Sequence, residues 1–152
     1  MPIIDTALAY DPATRRCDLV FDGTDFVLDD TPATPVLTAI GRDRRARPDD
    51  ELPDTTTDTY SPATLSRKRG WCLDFLDPLG RLVGSRMWLL KRRKQTEQTR
   101  LDAETYLREA LEPLANARGW PISVTVRWMG QGLLAWRAAV GQVVVSRNET
   151  FA

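Results

Sequence analysis

The spacing of hydrophobic positions changes along this chain, and each change predicts an element. Cys17-Asp18-Leu19-Val20-Phe21 and Asp25-Phe26-Val27-Leu28 are short runs of strand-forming residues. Asp22-Gly23 between them is a turn signal, with Thr24 able to lengthen the loop, so this piece predicts an N-terminal β-hairpin. Residues 31–35 offer capping and first-turn chemistry, and Val36, Leu37 and Ile40 follow at helical spacing, predicting a short helix to about Arg45. A second short helix is expected from Gly84 or Ser85 through Lys94, burying Met87, Trp88 and Leu90 or Leu89. Thr96 then reads as an N-cap with Glu97 in the first turn. Ala103, Leu107, Ala110, Leu111 and Leu114 fall on one face of a helix running from there to Arg118. Pro113 lies inside it; an interior proline costs about 3 kcal/mol and is expected to kink or end the helix. Gly119 suits the left-handed position after the last turn, and Pro121 prevents continuation.

The C-terminal third alternates with a period of two. Ile122, Val124, Val126 and Trp128 interleave with Ser123, Thr125, Arg127 and Met129, and Leu134, Trp136, Ala138 and Val140 alternate again after Gly130-Gln131-Gly132. Gly141-Gln142 predicts another turn and Val143-Val144-Val145 a third short strand. The fold class is therefore α+β: helices packed on a small antiparallel sheet, with an N-terminal β-hairpin.

Length and composition narrow the function. With 152 residues and 42% hydrophobic content, one domain spanning 1–152 can bury a real core. The opening residues Met1-Pro2-Ile3-Ile4-Asp5 lack the pattern of a signal peptide, and no apolar run approaches the ~20 residues that span a bilayer. No membrane partner is expected. There is no histidine, which removes the commonest general base and the main metal ligand together. Cys17 and Cys72 form no CxxC unit and read as small buried hydrophobes, both thiols free in a reduced cytoplasmic setting. Gly80 and Gly84 make no phosphate loop, since no Gly-Lys-Ser/Thr follows them. Glu104 and Arg108 are an ordinary i, i+4 ion pair on a helix face. The chain carries no recognisable catalytic constellation, metal site or cofactor site, and is read as non-enzymatic.

Formal net charge is zero, but the charge is segregated. Residues 1–66 carry 6 Lys/Arg against 13 Asp/Glu, whereas residues 67–94 carry 9 against 2. Such halves are either complementary, within one chain or between copies, or two solvated surfaces that ignore each other. Residues 46–66, rich in Pro, Asp and Thr, predict a flexible acidic surface loop, either a solvated insertion or a segment ordered by a partner. The block Lys91, Arg92, Arg93, Lys94, with Arg67-Lys68-Arg69 upstream, suits an acidic protein surface; the same residues offer phosphate contacts, but no nucleic-acid-binding module accompanies them. Trp128 and Trp136 sit at core positions of strands. Trp71 and Trp120 lie beside glycines at element ends, where they either cover those ends or anchor a partner.

Four blocks, in order, carry a family resemblance: Cys17 to Gly23; Leu37-Thr38-Ala39-Ile40 through Asp43-Arg44-Arg45-Ala46; Arg69-Gly70-Trp71 with Asp74; and Gly84-Ser85-Arg86-Met87-Trp88-Leu89-Leu90 with Lys94 and the helix through Glu109-Ala110-Leu111. On these the chain resembles the small baseplate wedge proteins of Mu-like contractile-tailed phages, the family known by its product number forty-six, distantly related to the small wedge protein of T-even phages. It departs at Cys17 and Cys72, where the family often has tryptophan, and at Pro113. The resemblance implies a structural part of the virion tail baseplate, assembled in the host cytoplasm. It would be repeated six-fold and would join a larger wedge protein to the hub, spike or tube. It would also help the sheath protein start its first ring by strand exchange. The expected partner interface comprises Trp71, Trp120, Lys91, Arg92, Arg93, Lys94, Val143, Val144 and Val145, the last three on an edge strand able to add a partner's strand. No nucleic acid partner belongs to this reading; the alternative is a small nucleic-acid-associated prophage protein using the basic segment 67–94.

Overall fold

Helix α2, Glu97–Arg118, and the strands that follow it are the frame of the molecule in the computed structural model, which describes residues 5–151 apart from 12, 15, 54–67, 73 and 79. The part of the expected acidic loop beyond Pro53 thus lies outside the described residues. Both ends of α2 are set by local chemistry. Thr96 Oγ1 accepts the Thr99 N–H at 3.1 Å, and Gly119 takes the left-handed φ of 65° while Trp120 N–H returns to the Ala115 carbonyl at 3.0 Å. Pro113 does not end the helix. Its ring is exposed, and Leu111 and the half-buried Leu114 on either side pack into the core shared with the sheet, outweighing the lost backbone bond.

Strands β5 (Ile122–Gly130), β6 (Leu133–Val140) and β7 (Val143–Thr150) form an antiparallel meander in that order. (β1 to β4 belong to the N-terminal unit below.) The register pairs Val126 with Trp136 and Val140 with Val143. Alternation puts Val124, Val126, Leu134, Trp136, Ala138 and Val140 on the face covered by α2, where they meet Ala103, Leu107 and Leu111. β7 outruns the three valines that announce it, pairing with β6 as far as Thr150. Phe151 then caps the core: its N–H donates to the Gly132 carbonyl at 2.7 Å, and its ring meets Trp128 edge-on at 5.7 Å.

Helix α1, Ala33–Gly41, adds Val36 and Ala39 to this core. It stops earlier than its spacing predicts because the next backbone is claimed elsewhere. Ser85 N–H donates to the Arg42 carbonyl at 2.8 Å, and Arg44 N–H to the Ser85 carbonyl at 3.0 Å. Residues Arg86–Leu90 form a 3-10 helix capped by Ser85 Oγ, and all five side chains are buried. A helix to Lys94 would carry the cationic block into that buried position, so the chain turns out at Leu90 instead. α2, α1 and the sheet share one core; Trp88, Leu89 and Ala46 make a second, smaller one beside it.

The N-terminal hairpin is present, closed by a Phe21–Phe26 bridge and by Asp22, whose Oδ1 accepts the N–H groups of Thr24 and Asp25. Two short strands absent from the sequence reading join it. β2 (Leu8–Asp11) pairs with β3 (Arg16–Leu19), and β1 (Asp5–Thr6) pairs with β4 (Leu28–Asp29). Three short ribbons therefore meet at one junction, where Ala7 N–H donates to Val27, Val27 N–H to Val20 and Val20 N–H to Ala7, at 2.7, 2.9 and 3.0 Å. The expected burial of the two cysteines is not found. Among the described residues nothing covers β3, so Cys17 is exposed, and Cys72 is exposed in a turn; both are free thiols.

Candidate functional site

The tightest polar cluster is built around Arg86, only 4% exposed although charged. Its Nε and Nη2 donate to one Glu109 oxygen at 2.9 and 2.8 Å, and its Nη1 donates to Asp50 at 2.7 Å. The guanidinium also lies over the Tyr106 ring, 4.3 Å from its centre. The second Glu109 oxygen accepts from Arg47 at 2.6 Å, with Arg44 at 3.6 Å, and the Asp50 carboxylate also accepts the Arg47 N–H. Burial pushes the Glu109 carboxyl up, but the Arg86 hydrogen bonds and the charges of Arg44, Arg86 and Arg47 outweigh it and hold the group below its ordinary value. Burial opposes the Arg86 charge in the same way, and the bonds to Glu109 and Asp50 prevail, leaving its pKa raised. The cluster ties the 3-10 helix, α2 and residues 44–50 into one piece. It is a staple: every group is satisfied by its neighbours, and none is presented as a nucleophile or proton donor.

Beside the staple is a groove of about 380 Å³ with walls of mixed charge, Arg47 and Arg108 facing Glu104, Glu109 and Glu112. Among the described residues no cluster of His, Cys, Asp and Glu could hold a metal ion, and no helix is long and apolar enough to cross a membrane.

The segregated charge of the sequence is partly resolved inside the chain. Arg69 pairs with Asp43, Arg86 with Asp50 at 2.7 Å and Arg93 with Glu51 at 3.3 Å, each joining the basic segment to the acidic half. Lys91, Arg92 and Lys94 remain exposed. Trp71 is half-buried beneath the Arg42 guanidinium, 4.8 Å away. Trp120 is half-buried, leaning on the main core with Arg118 over its ring at 5.4 Å. Val144 is exposed on β7 and its neighbours Val143 and Val145 are half-buried. The structure thus keeps the basic block at residues 91–94, sets Trp71 against Arg42, and places Trp120 beside the Gly141 turn that leads into the valines of the outer strand. Sequence reasoning missed two further exposed apolar groups: Leu19, Phe21, Phe26 and Leu28 on the ribbons, and Phe75 and Leu76 on the short 3-10 helix Asp74–Leu76. The available signal was large apolar residues set among aspartates and turn formers, without a partner element to cover them.

The chain matches the family described as Phage protein GP46 over residues 32–149. It is 38% identical over 130 residues to the protein named Baseplate protein gp46 of Escherichia phage Mu, a match covering 85% of this chain and 82% of that protein. The chain belongs to the GP46 phage protein family. No solved structure matches it. The GP46 match takes in α1, the Arg86 staple, α2 and the three-stranded sheet, and begins just after the ribbons. The block 84–90, the most specific part of the resemblance, supplies the buried 3-10 helix Arg86–Leu90 and its Ser85 cap, and Glu109 from the same block is the ion-pair partner of Arg86.

Proposed function

We propose that this chain is a structural, non-enzymatic component of a contractile phage tail baseplate. The observation that carries the reading is its 38% identity over 130 residues to a protein named for the Mu baseplate. Within that reading it is a small wedge part, repeated six-fold, that joins a larger wedge protein to the hub, spike or tube and helps the sheath protein begin its first ring. It works in the virion after assembly in the host cytoplasm.

Two features support the finer reading. The chain has a rigid body, since the Arg86 staple fixes residues 44–50 and the 3-10 helix to α2, as a load-transmitting joint requires. In addition, among the described residues β7 pairs only with β6, so its outer edge there offers backbone groups along Val143–Thr150 to a partner strand. The nucleic-acid alternative draws less support, because Arg69, Arg86 and Arg93 are engaged by carboxylates of the same chain. The test is co-expression with the large wedge protein encoded beside it, followed by light scattering on size-exclusion fractions. A stable co-eluting complex is expected; separate peaks under all conditions would contradict direct wedge pairing.

A further inference from the structure

Asp50 is held by Arg86 at 2.7 Å and by the Arg47 N–H, and Leu52 just beyond it packs against the small core of Trp88, Leu89 and Ala46. Residues 51–53 are thereby fixed beside the end of the 3-10 helix. There the chain turns at Leu90, whose carbonyl accepts the Arg93 N–H at 2.9 Å, and residues 91–94 emerge. A cleft of about 220 Å³ lies between the two segments, lined by Glu51, Leu52 and Pro53 on one side and by Leu89, Arg92 and Arg93 on the other.

The chemistry of the cleft is divided. Leu52, Pro53 and Leu89 give it an apolar wall, whereas Arg92 and Arg93 bring cations, with the exposed Lys91 and Lys94 next to them in the chain. Among the described residues no carboxylate pairs with either lysine. Glu51 shows what the cations take, since its carboxylate lies 3.3 Å from Arg93. That side chain is 71% exposed, and so open a surface pair holds weakly enough for an incoming anion to replace it. A volume below the ~300–1,000 Å³ of small-molecule sites suits side chains rather than a cofactor. An apolar wall beside cations fits a peptide with acidic and aliphatic side chains better than it fits a sugar–phosphate backbone.

We propose that this cleft docks a segment of another protein that carries acidic side chains next to an aliphatic one, with the incoming carboxylate replacing Glu51 on Arg93. Lys91 and Lys94 attract the segment, and Glu51 acts as a built-in competitor that keeps the cations from pairing with weaker anions. The inference deepens the reading of residues 91–94 as an interface. A peptide probe tests the cleft alone, so its failure would leave baseplate membership standing.

Fluorescence anisotropy on the full chain, with a labelled peptide of alternating glutamate and leucine as the probe, tests the proposal. Saturable binding is expected at low salt, weakening as salt rises because exposed charges are screened. Glu51→Gln should tighten binding several-fold by removing the competing carboxylate, and Arg93→Gln should weaken it several-fold. The double variant Lys91→Gln, Lys94→Gln alters only exposed positions, keeps the fold, and should also weaken binding. Glu112→Gln on α2 and Arg127→Gln on β5 change the net charge by the same amounts at other exposed positions and should leave the affinity unchanged. Absence of binding, a glutamine–leucine peptide bound as tightly, control variants that shift the affinity as much as the cleft variants, or a DNA duplex bound more tightly than the peptide would each overturn the proposal.

Discussion

Arg86 and Glu109 stand 23 positions apart in sequence, yet two nitrogens of Arg86 converge on a single Glu109 oxygen and leave the other to Arg47. That division of one carboxylate lets Glu109 serve two chain segments at once. It explains why a charged arginine is tolerated at a buried position. Taking one partner away strands the others in a poorly solvated place, which is costlier than never having built the pair.

Replacing Arg86 by methionine leaves Asp50 and Glu109 facing a low-dielectric site with fewer donors. The expected cost is about 3–5 kcal/mol, read as a lower urea midpoint at unchanged slope. Arg86→Lys should also destabilise, because an ammonium cannot reach Glu109 and Asp50 with a planar fork while resting on the Tyr106 ring. A lysine chain as stable as the parent would show that charge alone suffices.

The staple should also set an acid limit. Glu109 has a folded pKa below the ordinary value of 4.5, so its contribution is fully present above about that pH and is lost as pH falls through the depressed folded value. The stability gap between the parent and a Glu109→Gln chain should therefore be widest near neutrality and narrow below about pH 4.5. Urea titrations across that range measure it; a gap independent of pH would mean that the carboxylate charge contributes nothing.

Trp88 is 3% exposed and donates its indole N–H to the Arg44 carbonyl at 2.8 Å, with the Arg69 guanidinium 4.5 Å from its ring centre. Trp88→Ala should cost ~3–5 kcal/mol. Trp88→Phe keeps most of the volume but orphans that carbonyl, and should cost roughly 1–3 kcal/mol. Thermal melts of both variants separate the packing contribution from the hydrogen bond.

Two glycines should respond in opposite directions. Gly84 has φ of 109°, and a Cβ there would lie 2.6 Å from the Arg42 carbonyl oxygen, so Gly84→Ala must pry residues 42–44 from Ser85 and should destabilise strongly. Gly41 ends α1 with open space around it. Gly41→Ala should stabilise by about 0.4–1 kcal/mol through the unfolded chain. Differential scanning calorimetry on the pair provides the comparison.

The parts of the fold that were legible beforehand are those governed by neighbours in sequence. Thr96 and Gly119 marked the ends of α2, and alternation marked β5 and β6, because caps and strand faces are local properties. What escaped depends on distant residues. α1 stops at Gly41 because Ser85 takes the backbone of Arg42, and Pro113 fails to break α2 because Leu111 and Leu114 beside it pack into the core. Arg86 looked like one more cation of a basic segment; its partners are 23 and 36 positions away, so no local pattern announces its burial. The cysteines were misjudged because burial was inferred from residue type alone, whereas among the described residues no element covers β3 or the Cys72 turn.

The central claim, membership of a tail baseplate, is tested most directly by quantitative mass spectrometry of tails purified from particles of the source phage. The chain should be present in fixed proportion to the tube and sheath subunits and should stay with the baseplate when the sheath is removed. Abundant chain in the producing cell, with none in purified tails, would contradict the account.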